Sequence, residues 1–189
     1  MKKAVKIISL IILIPLIILN TYSAVIFTLY SIPKEMKNES VCFFIPELTW
    51  DSSFSDVNKQ FGKPVESGKY NDVNGTVENT YKTEYNSHPM TVYASASAFR
   101  ITELFHKRRV FDYAFCIECK DEKDSAAVFS EIYNGIIKSN LSNENFNSEQ
   151  SEEEVRMTVS YGPCSVTYNL WYDKNDTENN VRLYINALY

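Results

Sequence analysis

From Ile7 to Ile32 the chain runs for 26 residues without one charged side chain, and Ile and Leu dominate the first half of that run. A helix needs about 20 apolar residues to cross the hydrocarbon core of a bilayer, so the length suffices with some tilt. Pro15 and Asn20 lie inside the run. Spanning helices tolerate both, with Pro15 expected to kink the axis. Lys2, Lys3 and Lys6 precede the run, and Lys34 and Lys37 follow it with Glu35 between them. The lysine bias puts the amino terminus in the cytoplasm and the rest of the chain outside the cell membrane. The expected organisation is a single-pass signal-anchor protein. Residues 1–6 are a cytoplasmic tail, 7–32 a transmembrane helix in contact with the lipid bilayer, 33–50 a stalk, and 51–189 an extracytoplasmic α+β domain.

A cleaved secretory signal is the alternative. It has the same basic start, the apolar stretch Ile7–Leu19, and Tyr22-Ser23-Ala24 before a cut near Ala24 that would release a secreted protein. Tyr22 departs from the small-x-small rule, and cleavage would leave Val25–Tyr30 as an exposed apolar start, so the anchor is favoured. Cys42 follows Glu39-Ser40-Val41, which is no lipoprotein processing box.

Beyond the apolar run the chain turns acidic. From Asn38 onward 14 Lys and Arg stand against 23 Asp and Glu, a net charge of −9. Binding of nucleic acid is excluded on this ground, because neutralising phosphates needs a cationic surplus. The chain has only five glycines, none in a phosphate-cradling pattern. Thirteen Tyr and eleven Phe supply ample material for a core.

Two helices are expected. The first follows Asp51 or Ser52 as cap, places Phe54, Val57 and Phe61 on one face, and stops at Gly62 and Pro64. The second covers Asp121–Leu141, with Phe129, Ile132, Tyr133, Ile136, Ile137 and Leu141 as an apolar stripe and Asp121, Glu122 and Asp124 at its positive end. Alternation predicts strands at Val77–Tyr85, Met90–Phe99, Val110–Cys119, Val155–Tyr161, Cys164–Tyr172 and Val181–Leu188, with a helix as the alternative at Met90–Phe99 because of its alanines. Along Val110–Cys119, Phe111, Tyr113, Phe115 and Ile117 would share a face. Residues 65–76 read as a turn-rich connection and Ser142–Glu154 as an acidic mobile loop. The order of helix, strands, helix, strands predicts an antiparallel sheet with both helices on one face, in an α+β fold, and points to an internal duplication without a residue-level repeat.

The segment Leu48-Thr49-Trp50-Asp51-Ser52-Ser53-Phe54-Ser55-Asp56-Val57, followed by Phe61-Gly62-Lys63-Pro64, resembles the opening helix of the β-lactamase-inhibitor-protein-like domains. The small outer-membrane-assembly lipoprotein domains share that plan. The resemblance covers residues 48–64 and rests on a V-x-x-x-F-G-x-P pattern. It implies a helix-then-antiparallel-sheet fold and a habit of binding other proteins. The lipoprotein cysteine is not part of the matching pattern here.

Candidate chemistry centres on Cys116-Ile117-Glu118-Cys119. Such a pair between strand and helix suits a thioredoxin-type thiol–disulfide enzyme of the envelope, which is the alternative function. Glu118, Asp121, Glu122 and Asp124 would raise rather than lower the thiol pKa, and on a strand positions 116 and 119 point to opposite faces. Structural disulfides are therefore expected, Cys119–Cys164 with Cys42–Cys116. Zinc would have to recruit His88 or His106 at unhelpful spacing, and no metal or other cofactor is expected. Both histidines read as solvent-facing residues at hairpin ends. His106, Lys107, Arg108 and Arg109 form a candidate anion patch. Trp50, Trp171 and Tyr172 are expected in the core more than on a binding surface. The resulting expectation is a non-catalytic binding or scaffold domain whose partner is another envelope protein.

Overall fold

The computed structural model describes residues 14–15, 17–18, 32–71, 76–97, 109–151, 154–172 and 179–188. Eight strands are present among the described residues: β1 (Glu66–Asn71), β2 (Thr76–Tyr85), β3 (His88–Ser97), β4 (Val110–Glu118), β5 (Phe146–Gln150), β6 (Glu154–Tyr161), β7 (Cys164–Tyr172) and β8 (Asn180–Leu188), and side chains of alternating character lay down all but β1 and β5. They form one antiparallel sheet in the order β1-β2-β3-β4-β8-β7-β6-β5. The order is a mirror. Two four-strand meanders, each preceded by a helix, meet through their last strands, with Phe115 opposite Leu183 at the seam.

One face of the sheet is dry. Val92, Phe115, Leu183, Leu170 and Val155 lie at successive positions across it, each at most 1% exposed. A register shift lets Val110, rather than Phe111, take the inward place at the start of β4. The extra residue is a β-bulge, so the strict alternation expected through Phe111 breaks there.

Among the described residues from Ile32 onward, three helices accompany the sheet: α1 (Lys34–Lys37), α2 (Phe54–Phe61) and α3 (Glu122–Asn140). The cap of α2 is Ser53 rather than Asp51 or Ser52, and its backbone N–H and hydroxyl both donate to the Asp56 carboxylate, at 3.0 and 2.7 Å. Gly62 ends the helix at φ +81°, where a side chain would be strained. Asp121 caps α3 by accepting from the Asp124 N–H at 2.9 Å. Both longer helices pack on the dry face, Phe61 of α2 against Tyr81 and Phe129 of α3 against Tyr172. The buried line of α3 is Ser125, Val128, Ile132 and Ile136, while Leu141 is 70% exposed. The stripe is thus rotated from the expected one and does not include Leu141.

Residues 33–50 are not the expected stalk. Met36, Val41, Cys42, Ile45, Leu48 and Trp50 are all at most 3% exposed. They form a strap that meets α3 through Phe43 and the sheet through β2 and β4, with Phe44 edge-on to Tyr85 and Phe115, and Trp50 edge-on to Tyr113. The apolar patch in the strap is core.

The expected transmembrane helix is corrected as well. Among the described residues, no helix is long and apolar enough to cross a membrane. Within 7–32 the described helical residues are Ile14, Pro15, Ile17 and Ile18. Ile32, the expected end of the span, is 8% exposed and belongs to the unit of residues 32–188. The remainder of the segment, with the expected tail at 1–6 and the cleavage position near Ala24, lies outside the described residues. Membrane and signal-anchor assignments therefore have no support in the fold.

Two strands escape the sequence pattern. β1 falls in the expected connection at 65–76 and β5 in the expected loop at 142–154. Both are edge strands made almost wholly of exposed polar residues, so pairing with a neighbour, not burial, makes them strands.

Candidate functional site

The second face of the sheet is polar and aromatic, and its side chains fall into cross-strand rows. One row runs Glu66, Thr80, Tyr93, Ala114, Tyr184, Asn169, Arg156 and Glu149. Its neighbour runs Glu78, Ser95, Asp112, Asn186, Thr167 and Thr158. A third holds Lys82, Thr91, Cys116, Arg182, Trp171 and Glu154. Direct cross-strand partners share a face, so Tyr93, Tyr184, Trp171, Arg156 and Arg182 stand on one surface. Tyr93 is 37% exposed. Trp171 was expected in the core, and the register puts it on this face instead.

Asp112 sits at the middle of that face, on the seam between the two meanders. Asn186 donates to its carboxylate, and Tyr184 is also hydrogen-bonded to it. Burial nevertheless dominates and pushes Asp112 up to about 6 from the usual 3.8, with those two hydrogen bonds opposing. A largely buried carboxylate titrating near neutrality is what a functional surface often holds.

A second cluster lies on the helix-covered side, where β3, β4 and α3 converge. His88 leaves the tight hairpin Tyr85-Asn86-Ser87-His88, whose central residues have φ +47° and +69°. That hairpin is tied to α3, because the Tyr85 hydroxyl and the Asn86 amide both donate to Glu131 Oε1, at 2.8 and 2.7 Å. His88 Nε2 lies 3.1 Å from both carboxylate oxygens of Asp124, and Nδ1 lies 3.2 Å from the Tyr85 carbonyl. Cys119, just beyond β4, brings its Sγ within 4.8 Å of the same His88 and Asp124 atoms. His88 is therefore half-buried and partnered, not the solvent-facing residue expected. Hydrogen bonds, first from the Lys120 N–H and then from His88, hold Asp124 below the usual carboxylate range.

This trio is not a nucleophilic triad. Both imidazole nitrogens already face acceptors, so neither is placed to take the thiol proton. Burial pushes the Cys119 thiol up, and the Asp124 charge adds to this, against hydrogen bonds with the Ser125 side chain and the Val181 backbone. A thiol raised in this way is a poor nucleophile.

None of the four cysteines is disulfide-bonded. The register explains both corrections. Cys116 shares the open face with Arg182, whereas Cys42 is buried in the strap on the opposite face. Cys164 precedes Ser165, which pairs with Leu188 at the Val110 end of β4, whereas Cys119 follows the other end, roughly 30 Å away at about 3.3 Å per residue. A disulfide needs Cα atoms within about 7 Å. Cys42, enclosed in the strap, is pushed up to about 12 by burial. In the candidate anion patch, Arg109 is engaged by Asp51, its Nε 2.6 Å from Oδ1, while His106, Lys107 and Arg108 lie outside the described residues.

Sequence reasoning passed over Asp112 and the His88–Cys119–Asp124 trio. Only Cys119 and Asp124 are local in sequence; His88 is brought in by strand pairing. No family model, no curated protein and no solved structure matches the chain.

Proposed function

We propose that the chain is a non-catalytic protein-binding domain that uses the open face of its eight-stranded sheet. The observation that carries this reading is the placement of Tyr93, Tyr184, Trp171, Arg156 and Arg182 in neighbouring rows of one surface, while both longer helices pack on the other. Tyr, Trp and Arg are the residues that most often carry binding energy at protein interfaces. The short Ser and Thr side chains between them leave the rings and guanidinium groups as the relief of a broad surface rather than the walls of a pocket. That shape suits a folded protein better than a small molecule. The net charge of −9 from Asn38 onward speaks against nucleic acid. The doubled helix-and-meander plan and the resemblance of residues 48–64 to protein-binding domains support the same reading.

A photo-crosslinking residue placed at Tyr93, Trp171 or Tyr184 in the full chain should capture one defined protein in the native cell. The same residue at Lys138, an exposed position of α3, should not. Arg182→Glu should abolish the capture without shifting the unfolding midpoint. Equal capture from Lys138, or none from any of the three face positions, would overturn the proposal.

A further inference from the structure

We propose that His88, Cys119 and Asp124 form a binding site for a divalent transition metal of the zinc class. The three side chains come from three elements: the β2–β3 hairpin, the end of β4 and the first turn of α3. They offer one imidazole nitrogen, one sulfur and one carboxylate, a donor set that suits zinc and excludes calcium and magnesium, which take oxygen. Their ligand atoms already lie within 4.8 Å of one another. Tetrahedral zinc bonds of about 2.0–2.3 Å require ligands about 3.5 Å apart, so closing onto an ion takes roughly an ångström of side-chain motion and no backbone change.

The surroundings are those of a metal site as well. His88 Nδ1 faces only the Tyr85 carbonyl, 3.2 Å away, so that nitrogen carries a proton and donates it. Nε2 is thereby left as the nitrogen offered on the Asp124 side, 3.1 Å from that carboxylate. Ligating histidines are typically oriented in this way by a backbone carbonyl or carboxylate behind the ring. The ligating carboxylate is held too, since Asp124 Oδ2 accepts from the Lys120 N–H at 2.9 Å. The Ser125 side chain hydrogen-bonds to the Cys119 thiol. Glu131 anchors the hairpin that presents His88, through Tyr85 and Asn86.

Three protein ligands leave one tetrahedral position for water. His88 and Asp124 side chains are 18% and 26% exposed, so solvent can reach it. On binding, Cys119 gives its Sγ proton and His88 its Nε2 proton to solvent, so that the sulfur coordinates as thiolate and the ring as neutral imidazole with Nδ1 still donating to the Tyr85 carbonyl. Affinity therefore rises with pH. The pairing of His88 with Asp124 is then the resting arrangement, in which the carboxylate holds the ring where the ion will sit.

Cobalt reports on this directly. Reduced full-length protein titrated with Co²⁺ should bind one ion per chain and develop a thiolate-to-cobalt charge-transfer band that Zn²⁺ displaces. Cys119→Ser should lose the band, whereas Cys116→Ser and Cys164→Ser keep it. His88→Gln and Asp124→Asn should each weaken binding at least about tenfold. Urea midpoints without metal establish that each variant is folded. The unmutated chain supplies an independent reading, because Zn²⁺ should slow alkylation of Cys119 and leave Cys116 unaffected. No cobalt–thiolate band, a band that survives Cys119→Ser, or alkylation of Cys119 at an unchanged rate would each overturn the site.

Discussion

Asp112→Asn should stabilise the protein at neutral pH and do nothing at pH 3. Asp112 lies on the sheet seam opposite Asn186, with burial pushing it up to about 6. The folded state thus prefers the neutral acid. A raised carboxylate contributes stability that is complete below its unfolded value of 3.8 and is lost as pH rises through about 6. The displacement is about 2 pKa units, and each is worth about 1.4 kcal/mol, so the ionised group disfavours folding by about 3 kcal/mol at pH 7. Asn keeps an oxygen that can accept from Asn186 and cannot ionise. The assay is urea unfolding of the two proteins between pH 3 and 8, compared at equal slope. Every other titrating group is common to both proteins and cancels in the difference. The variant should gain about 2–3 kcal/mol between pH 4 and 7 and then level off. A difference that stays flat from pH 4 to 8 would refute the argument that burial governs this carboxylate.

Two further outcomes follow from the packing of the strap. Trp50 is 1% exposed and edge-on to Tyr113, so Trp50→Ala should lower stability by about 3–5 kcal/mol, read by urea unfolding; a true stalk residue would lose almost nothing. A Cβ at Gly135 would stand 2.3 Å from the Phe43 ring, which explains a glycine in the middle of α3. In a Phe43→Ala background, Gly135→Ala should therefore stabilise by about 1 kcal/mol, while with Phe43 present that gain should vanish or reverse, as a double-mutant cycle will measure.

The elements that face the core were legible before the fold was known, because burial imprints a period on the sequence. Tyr113, Phe115 and Ile117 on β4, and Ile132 and Ile136 on α3, lie inward as their spacing indicates. The edges were not legible. β1 and β5 bury almost nothing and carry no apolar alternation, so their pairing partners alone define them. The strap misled for the opposite reason. Its apolar residues follow neither a helical nor a strand period, and a loop packed into the core leaves no periodic mark. Both site readings failed at the same step. Cys119 was paired with Cys164 because the faces of both looked inward, which left Cys42 with Cys116, but residues at opposite ends or on different faces of a sheet never meet.

The sequence by itself determined which residues are driven out of water and which backbones extend or coil, since those follow from side-chain chemistry at short range. It also determined the acidic balance of the chain, a net charge of −9 from Asn38 onward. Only the tertiary structure decided that the two meanders join through β4 and β8, which face of the sheet stays open, and that His88 meets an aspartate 36 residues further along the chain. Those outcomes depend on register. A shift of one residue would turn every side chain of a strand to the other face, and what selects the register is the fit of distant segments to one another.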